Sequence, residues 1–127
     1  MMKKSQVQDC GGFSRLNAAL IWVVADWMRI LVLDMKNHVT ENISRHQGTV
    51  NSPVLRTTET YRPAVSPNSP GILICHNHPS GDPTPLPEDI AVTQQLVAAG
   101  QHLDIELVDH LVIGNQRFVS LKERLRW

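Results

Sequence analysis

His76 and His78 stand two residues apart, directly behind Gly71-Ile72-Leu73-Ile74-Cys75, a glycine followed by an apolar run. Such a run marks a strand buried on both faces, and it delivers His76 to its end. In extended chain, residues i and i+2 project to the same side, so the two imidazoles converge where the strand stops. Two converging imidazoles begin a metal site, and Asp89, eleven positions after His78, offers the third ligand. Gly81 and the prolines at 79, 83, 85 and 87 allow the chain between them to double back. Two imidazoles and a carboxylate leave one position of a zinc tetrahedron open for water, which is the arrangement of a catalytic rather than a structural site. Zinc lowers the pKa of such a water to about 7 and so provides a hydroxide nucleophile near neutral pH. The same two histidines also suit ordinary polar positions at a strand-to-loop transition, because an isolated His-x-His is too short a pattern to decide.

The elements that would position these residues follow from the pattern around them. Residues 1 to 17 are polar, contain Gly11-Gly12 and read as an irregular arm. From Ala18 to Met28 the apolar residues are too continuous to show a period, and helix or strand would serve. Ile30 to Leu33, the turn Asp34 to Asn37, and Val39 to Ile43 form a hairpin. Gly48 to Pro53 is a strand-turn signal, and Thr58 to Val65 a short helix despite Pro63. Ser66 to Pro70 must be a loop, as must Ser80 to Pro87. Glu88 to Gly100 is the clearest helix, with Ile90, Leu96 and Val97 at helical spacing, acids at its start and glycine at its stop. Ile105 to Val108 and Leu111 to Ile113 are apolar strand segments, and Gly114 to Gln116 turns into Arg117 to Ser120 as a closing hairpin.

At 127 residues the chain is the size of one domain. Twelve basic and twelve acidic residues cancel, which removes the electrostatic footprint of a nucleic-acid or anionic-membrane binder. The run Ala18 to Ala25 is followed by Asp26 and Arg29 and falls short of the ~20 apolar residues of a membrane span. Met1 to Lys4 ahead of it only faintly resembles a secretion signal, since residues 6 to 17 are polar and no small-residue cleavage site follows. Two cysteines, Cys10 and Cys75, are too few for a disulfide scaffold, and a cytoplasmic setting fits. Cys75 alternates with His76 and should face the core, and Trp22, Trp27 and Trp127 are packing residues.

The segments HNHPSGDPTP at 76–85, PEDI at 87–90, DHLVIG at 109–114, FVSLKER at 118–124 and GTVNS at 48–52 together resemble the RadC-like branch of the JAMM (MPN-type) metalloprotease superfamily. The resemblance covers roughly residues 30 to 127 and implies an α/β fold, a three-layer α-β-α arrangement with a mixed β-sheet of cytidine-deaminase-like type. It divides the chain into an atypical N-terminal arm with the start of a first helix at 1–25 and the RadC-like domain at 26–127. It implies His76, His78 and Asp89 as ligands of one Zn2+ per chain, and amide or isopeptide hydrolysis of a peptide or protein substrate.

That family pattern runs His-x-His, seven residues, Ser, two residues, Asp, with a glutamate upstream. Leu86 occupies the serine position. A serine there would cap the helix begun by Pro87, and its absence costs about 1 kcal/mol unless Thr84 with Pro85 caps instead. The family serine also hydrogen-bonds the oxyanion, a donor whose loss costs on the order of 10²–10³ in turnover. Ser80 is near enough in sequence to substitute. Alignment puts Asp26 at the glutamate position as general base, one methylene shorter, with Glu41 the fallback. Asp109-His110 suits either a structural pair or one that orients a zinc-bound imidazole. A catalytically silent zinc-binding interaction module is the alternative these departures raise. A DNA-repair accessory role would rest on the family's traditional association alone, and the balanced charge opposes it.

Overall fold

A computed structural model describes residues 27–46, 56–78 and 80–127 of the chain. They form a five-stranded mixed sheet with three helices. The strands are β1 (Trp27–Leu33), β2 (Val39–His46), β3 (Gly71–Asn77), β4 (Glu106–Ile113) and β5 (Phe118–Ser120), in the order β2-β1-β3-β4-β5. The helices are α1 (Thr57–Val65), α2 (Pro87–Leu103) and α3 (Leu121–Leu125). β1 pairs antiparallel with both β2 and β3, and β5 pairs antiparallel with β4. β3 and β4 are parallel, and α2 supplies the crossover that a parallel pair requires.

The apolar runs place β1 and β3 at the centre. On one face Met28, Ile30, Val32, Ile72 and Ile74 pack with Tyr61 and Ala64 of α1 and Leu96 of α2. On the other face Leu31, Leu33, Leu73, Cys75, Leu111 and Ile113 form a second buried cluster. A sheet closed to water on both faces is the middle layer of three, as the resemblance implies. Cys75 turns away from His76 into the second cluster, as alternation requires. No helix among the described residues is long and apolar enough to cross a membrane.

The structure departs from the sequence reading at several element boundaries, each for a physical reason. Trp27 and Met28, where helix and strand were both open, are strand because they extend the pairing of β1 with β2, and Met28 also pairs with His76 of β3. α2 does not stop at Gly100 but runs to Leu103 and ends at Asp104, whose left-handed φ of 58° returns its N–H to the Gly100 carbonyl. Gly100 serves packing instead: a Cβ there would strike the Ile105 carbonyl and lie 3.1 Å from Cζ of Tyr61. β4 is one strand rather than two segments and runs through Asp109-His110, with Val108 skipped in the pairing to β3 as a bulge. α3 was not anticipated, although Ser120-Leu121-Lys122-Glu123 is a capping-box signal and the Ser120 hydroxyl accepts the Glu123 N–H at 3.2 Å. The arm at 1–17, the run at 18–26 including Trp22, and the strand-turn signal at 48–53 lie outside the described residues.

Candidate metal centre

β3 ends at Asn77, so His76 and His78 leave it on one side, with buried Asn77 facing the other way between them. Asp89 is the third residue of α2, where the helix N-terminus favours a carboxylate. Its Oδ2 accepts the Leu86 N–H at 2.8 Å, which fixes the carboxyl group over the first turn. Nε2 of His76 lies 3.3 Å from Asp89 Oδ1, and Nε2 of His78 lies 3.1 Å from Asp89 Oδ2. One ligand atom from each of the three residues falls within 4.8 Å of the others. Distances of this size are those of a direct hydrogen bond and also leave the three residues close enough to hold a metal ion.

The tautomers of the two rings follow from what their Nδ1 atoms face. Nδ1 of His78 faces the Asp82 carbonyl at 3.0 Å. A carbonyl only accepts, so Nδ1 carries hydrogen, and a singly protonated ring presents its lone pair at Nε2. For His76 the proof runs through two further residues. Thr93 donates its hydroxyl proton to the Asp89 carbonyl at 2.6 Å, and Nδ1 of His110 lies 2.6 Å from the same hydroxyl oxygen, which accepts from it. Nε2 of His110 is then the acceptor of a neutral ring, and Nδ1 of His76, 2.9 Å away, donates to it. Nε2 of His76 is left as a lone pair as well. With both rings neutral, two imidazole lone pairs face a carboxylate, and the positive charge this cluster calls for can come from protons on the Nε2 atoms or from a bound metal ion.

Burial works to raise the Asp89 pKa, but the two imidazoles, as N–H donors to the carboxylate when no ion is bound, and the Leu86 N–H outweigh it and hold the carboxyl well below the usual carboxylate range. Burial pushes the His110 pKa down to about 3, so this ring is neutral at physiological pH. Asp109 moves the other way, its pKa raised by burial despite bonds from the Ser120 hydroxyl and the backbone N–H groups of Lys122 and His110. The pair Asp109-His110 thus divides its labour. His110 touches the ligand His76, whereas Asp109 faces away from it and pins the start of α3 to β4.

The remaining candidates lie elsewhere. Glu41 sits on β2 opposite Val32, while His76 is paired with Met28, four residues further along β1. Four strand residues span about 13 Å, far beyond the reach of a general base. Glu41 is exposed instead and lines an open hollow with Arg62 and Pro63 of α1. The Ser80 hydroxyl accepts the Asp82 N–H at 3.3 Å and stands exposed on the loop. Thr84 does not cap α2, because its hydroxyl and N–H both turn to Asp82. Leu86 is the N-cap, has no side-chain bond to give, and is 53% exposed. Asp26 lies outside the described residues. Thr93 was not singled out in the sequence, yet its position four residues after Asp89, on the same helix face, was the available signal.

A family model described as RadC-like JAB domain matches residues 13–126. The chain belongs to the RadC-like JAB domain family. Over 97 residues it is 53% identical to a UPF0758 protein of Chloroflexus aurantiacus and 50% identical to one of Roseiflexus castenholzii. A UPF0758 protein of Clostridium beijerinckii is 46% identical over the same length. Each alignment covers 76% of this chain and 42% of the relative, so the chain matches less than half the length of these curated proteins. The family match spans the stretch in which His76, His78 and Asp89 converge.

Proposed function

We propose that this RadC-like JAB domain is a zinc-dependent metallopeptidase-type hydrolase that cuts amide or isopeptide bonds in a peptide or protein substrate. The observation that carries the reading is the convergence of the two Nε2 lone pairs with the Asp89 carboxylate. His76, His78 and Asp89 would hold one Zn2+ per chain. When bound, zinc supplies Lewis-acid polarisation of a carbonyl and acidifies a water to near neutral pH. Asp26 is the base in this reading, taking the proton of the attacking water and returning it to the leaving amine. Asp26 is two residues upstream of Met28 in the sequence, and Met28 pairs with the ligand His76. A cytoplasmic setting belongs to the same proposal, and cell fractionation checks it.

The exposed apolar side chain of Leu86 supports a second reading, a zinc-binding interaction module without turnover, because the family's oxyanion donor is missing. Elemental analysis should find about one zinc per chain, lost in His76→Ala with His78→Ala. A panel of peptide and isopeptide substrates then separates the readings. Cleavage that rises on the order of 10²-fold in Leu86→Ser and vanishes in Asp26→Asn supports the hydrolase. Zinc retention with no cleavage in either wild type or Leu86→Ser supports the silent module, and a chain that takes up no metal ends both.

A further inference from the structure

His76 and Asp89 sit on different elements, β3 and α2, and a buried path joins them behind the site. From the His76 ring it runs through His110 on β4 to Thr93 on α2, and from the Thr93 hydroxyl to the backbone carbonyl of Asp89 itself. His110 is 1% exposed and Thr93 fully buried. Neither residue offers an atom to the ligand cluster. Thr93 has one hydroxyl proton, and the Asp89 carbonyl takes it, so the oxygen has only acceptance left for His110. This single choice propagates along the path. His110 must carry its proton on Nδ1, must accept at Nε2, and therefore holds the proton of His76 on Nδ1.

We infer that Thr93 and His110 are a positioning pair that sets the tautomer of His76, so that the Thr93 hydroxyl, without touching the ligand ring, keeps the metal-binding nitrogen of that ring unprotonated. The inference rests on the zinc reading above. Without the hydroxyl, nothing on α2 fixes the proton of His110 on Nδ1. It then shifts to Nε2, where it faces Nδ1 of His76 and turns that atom into an acceptor. The proton of His76 is driven to Nε2, the atom that would bind zinc, and the ion must displace it. A partner that orients a metal-binding histidine is worth roughly 10–100-fold in affinity.

The test uses the full chain and zinc alone, with affinity read by competition against a chromogenic chelator and the ring protons read by long-range ¹H–¹⁵N spectra of the histidines. Thr93→Val keeps the shape of the side chain and deletes the hydroxyl. His110→Phe deletes the acceptor, and His110→Gln restores one. The expected result is a loss of roughly 10–100-fold for Thr93→Val and His110→Phe, with His110→Gln recovering most of it. His76 should carry its proton on Nδ1 in zinc-loaded wild type, and on Nε2 in metal-free Thr93→Val. A folded Thr93→Val with wild-type zinc affinity overturns the inference, as does an unchanged His76 tautomer in that variant. Zinc binding with these effects but no cleavage of any substrate overturns the hydrolase reading alone. A wild-type chain that binds no zinc overturns both.

Discussion

Single side chains explain why part of the site was legible in sequence and part was not. His76, His78 and Asp89 could be found because strand alternation and one folded-back loop bring them together, and both are local properties of the chain. Glu41 was misjudged because its distance from the site depends on the register between β1 and β2, which no spacing in the sequence records. The His76–His110 contact spans 34 residues, so no periodicity could reveal it. Two substitutions test the residue-scale account. Leu86 has extended backbone angles suited to a cap, φ −82° and ψ 157°, but no acceptor. Leu86→Ser should therefore stabilise the chain by about 1 kcal/mol in urea denaturation, whatever it does to turnover. Asp109 is expected to show its environment in the pH dependence of stability. Its folded pKa is raised above the ordinary 3.8, so the folded state favours the protonated acid. The associated stability is complete below the unfolded pKa and is lost as pH rises through the folded one. Asp109→Asn has no such loss, so its melting temperature relative to wild type should climb as pH rises above about 4.

At the scale of elements, the loop that carries His78 is braced by the turn between β4 and β5. The His78 N–H donates to the Ile113 carbonyl at 2.9 Å, and the Asn115 N–H donates to the Gly81 carbonyl at 2.8 Å. Gly114 lies against this loop so closely that a Cβ would strike the Gly81 carbonyl and stand 2.7 Å from Cδ of Pro83. Because the obstacle is loop backbone and a proline ring, the metal loop must move if the glycine gains a side chain. Gly114→Ala should cost about 1–3 kcal/mol of stability, measured by denaturant unfolding, and should weaken zinc binding in chelator competition. That closing turn was legible from Gly114-Asn115-Gln116. Its role in holding the ligand loop was not, because that depends on contact with residues more than thirty positions earlier. α2 shows the complementary lesson. Its start was visible in Pro87-Glu88-Asp89, but Gly100, which looked like a stop, is a point of close approach to α1.

For the whole molecule, the continuous apolar run of β3 was enough to predict a strand buried on both faces, whereas the covering of the whole sheet followed from the family resemblance and the strand order came only from the structure. If zinc binds the folded chain and not the unfolded one, loading adds stability by mass action, about 2.7 kcal/mol at a free concentration one hundred times the dissociation constant. Chelation should lower the melting temperature accordingly, and the double variant His76→Ala with His78→Ala should not respond to the chelator. The parallel pairing of β3 with β4 has a further outcome in time. Residues 76–89 form one short stretch that can begin to gather an ion early in refolding, but His110 arrives only after the α2 crossover has closed. Stopped-flow refolding in the presence of a zinc-sensitive dye should accordingly resolve a fast, weak capture and a slower tightening. Thr93→Val should keep the first phase and lose amplitude in the second, making the dye a clock for the moment when the crossover docks.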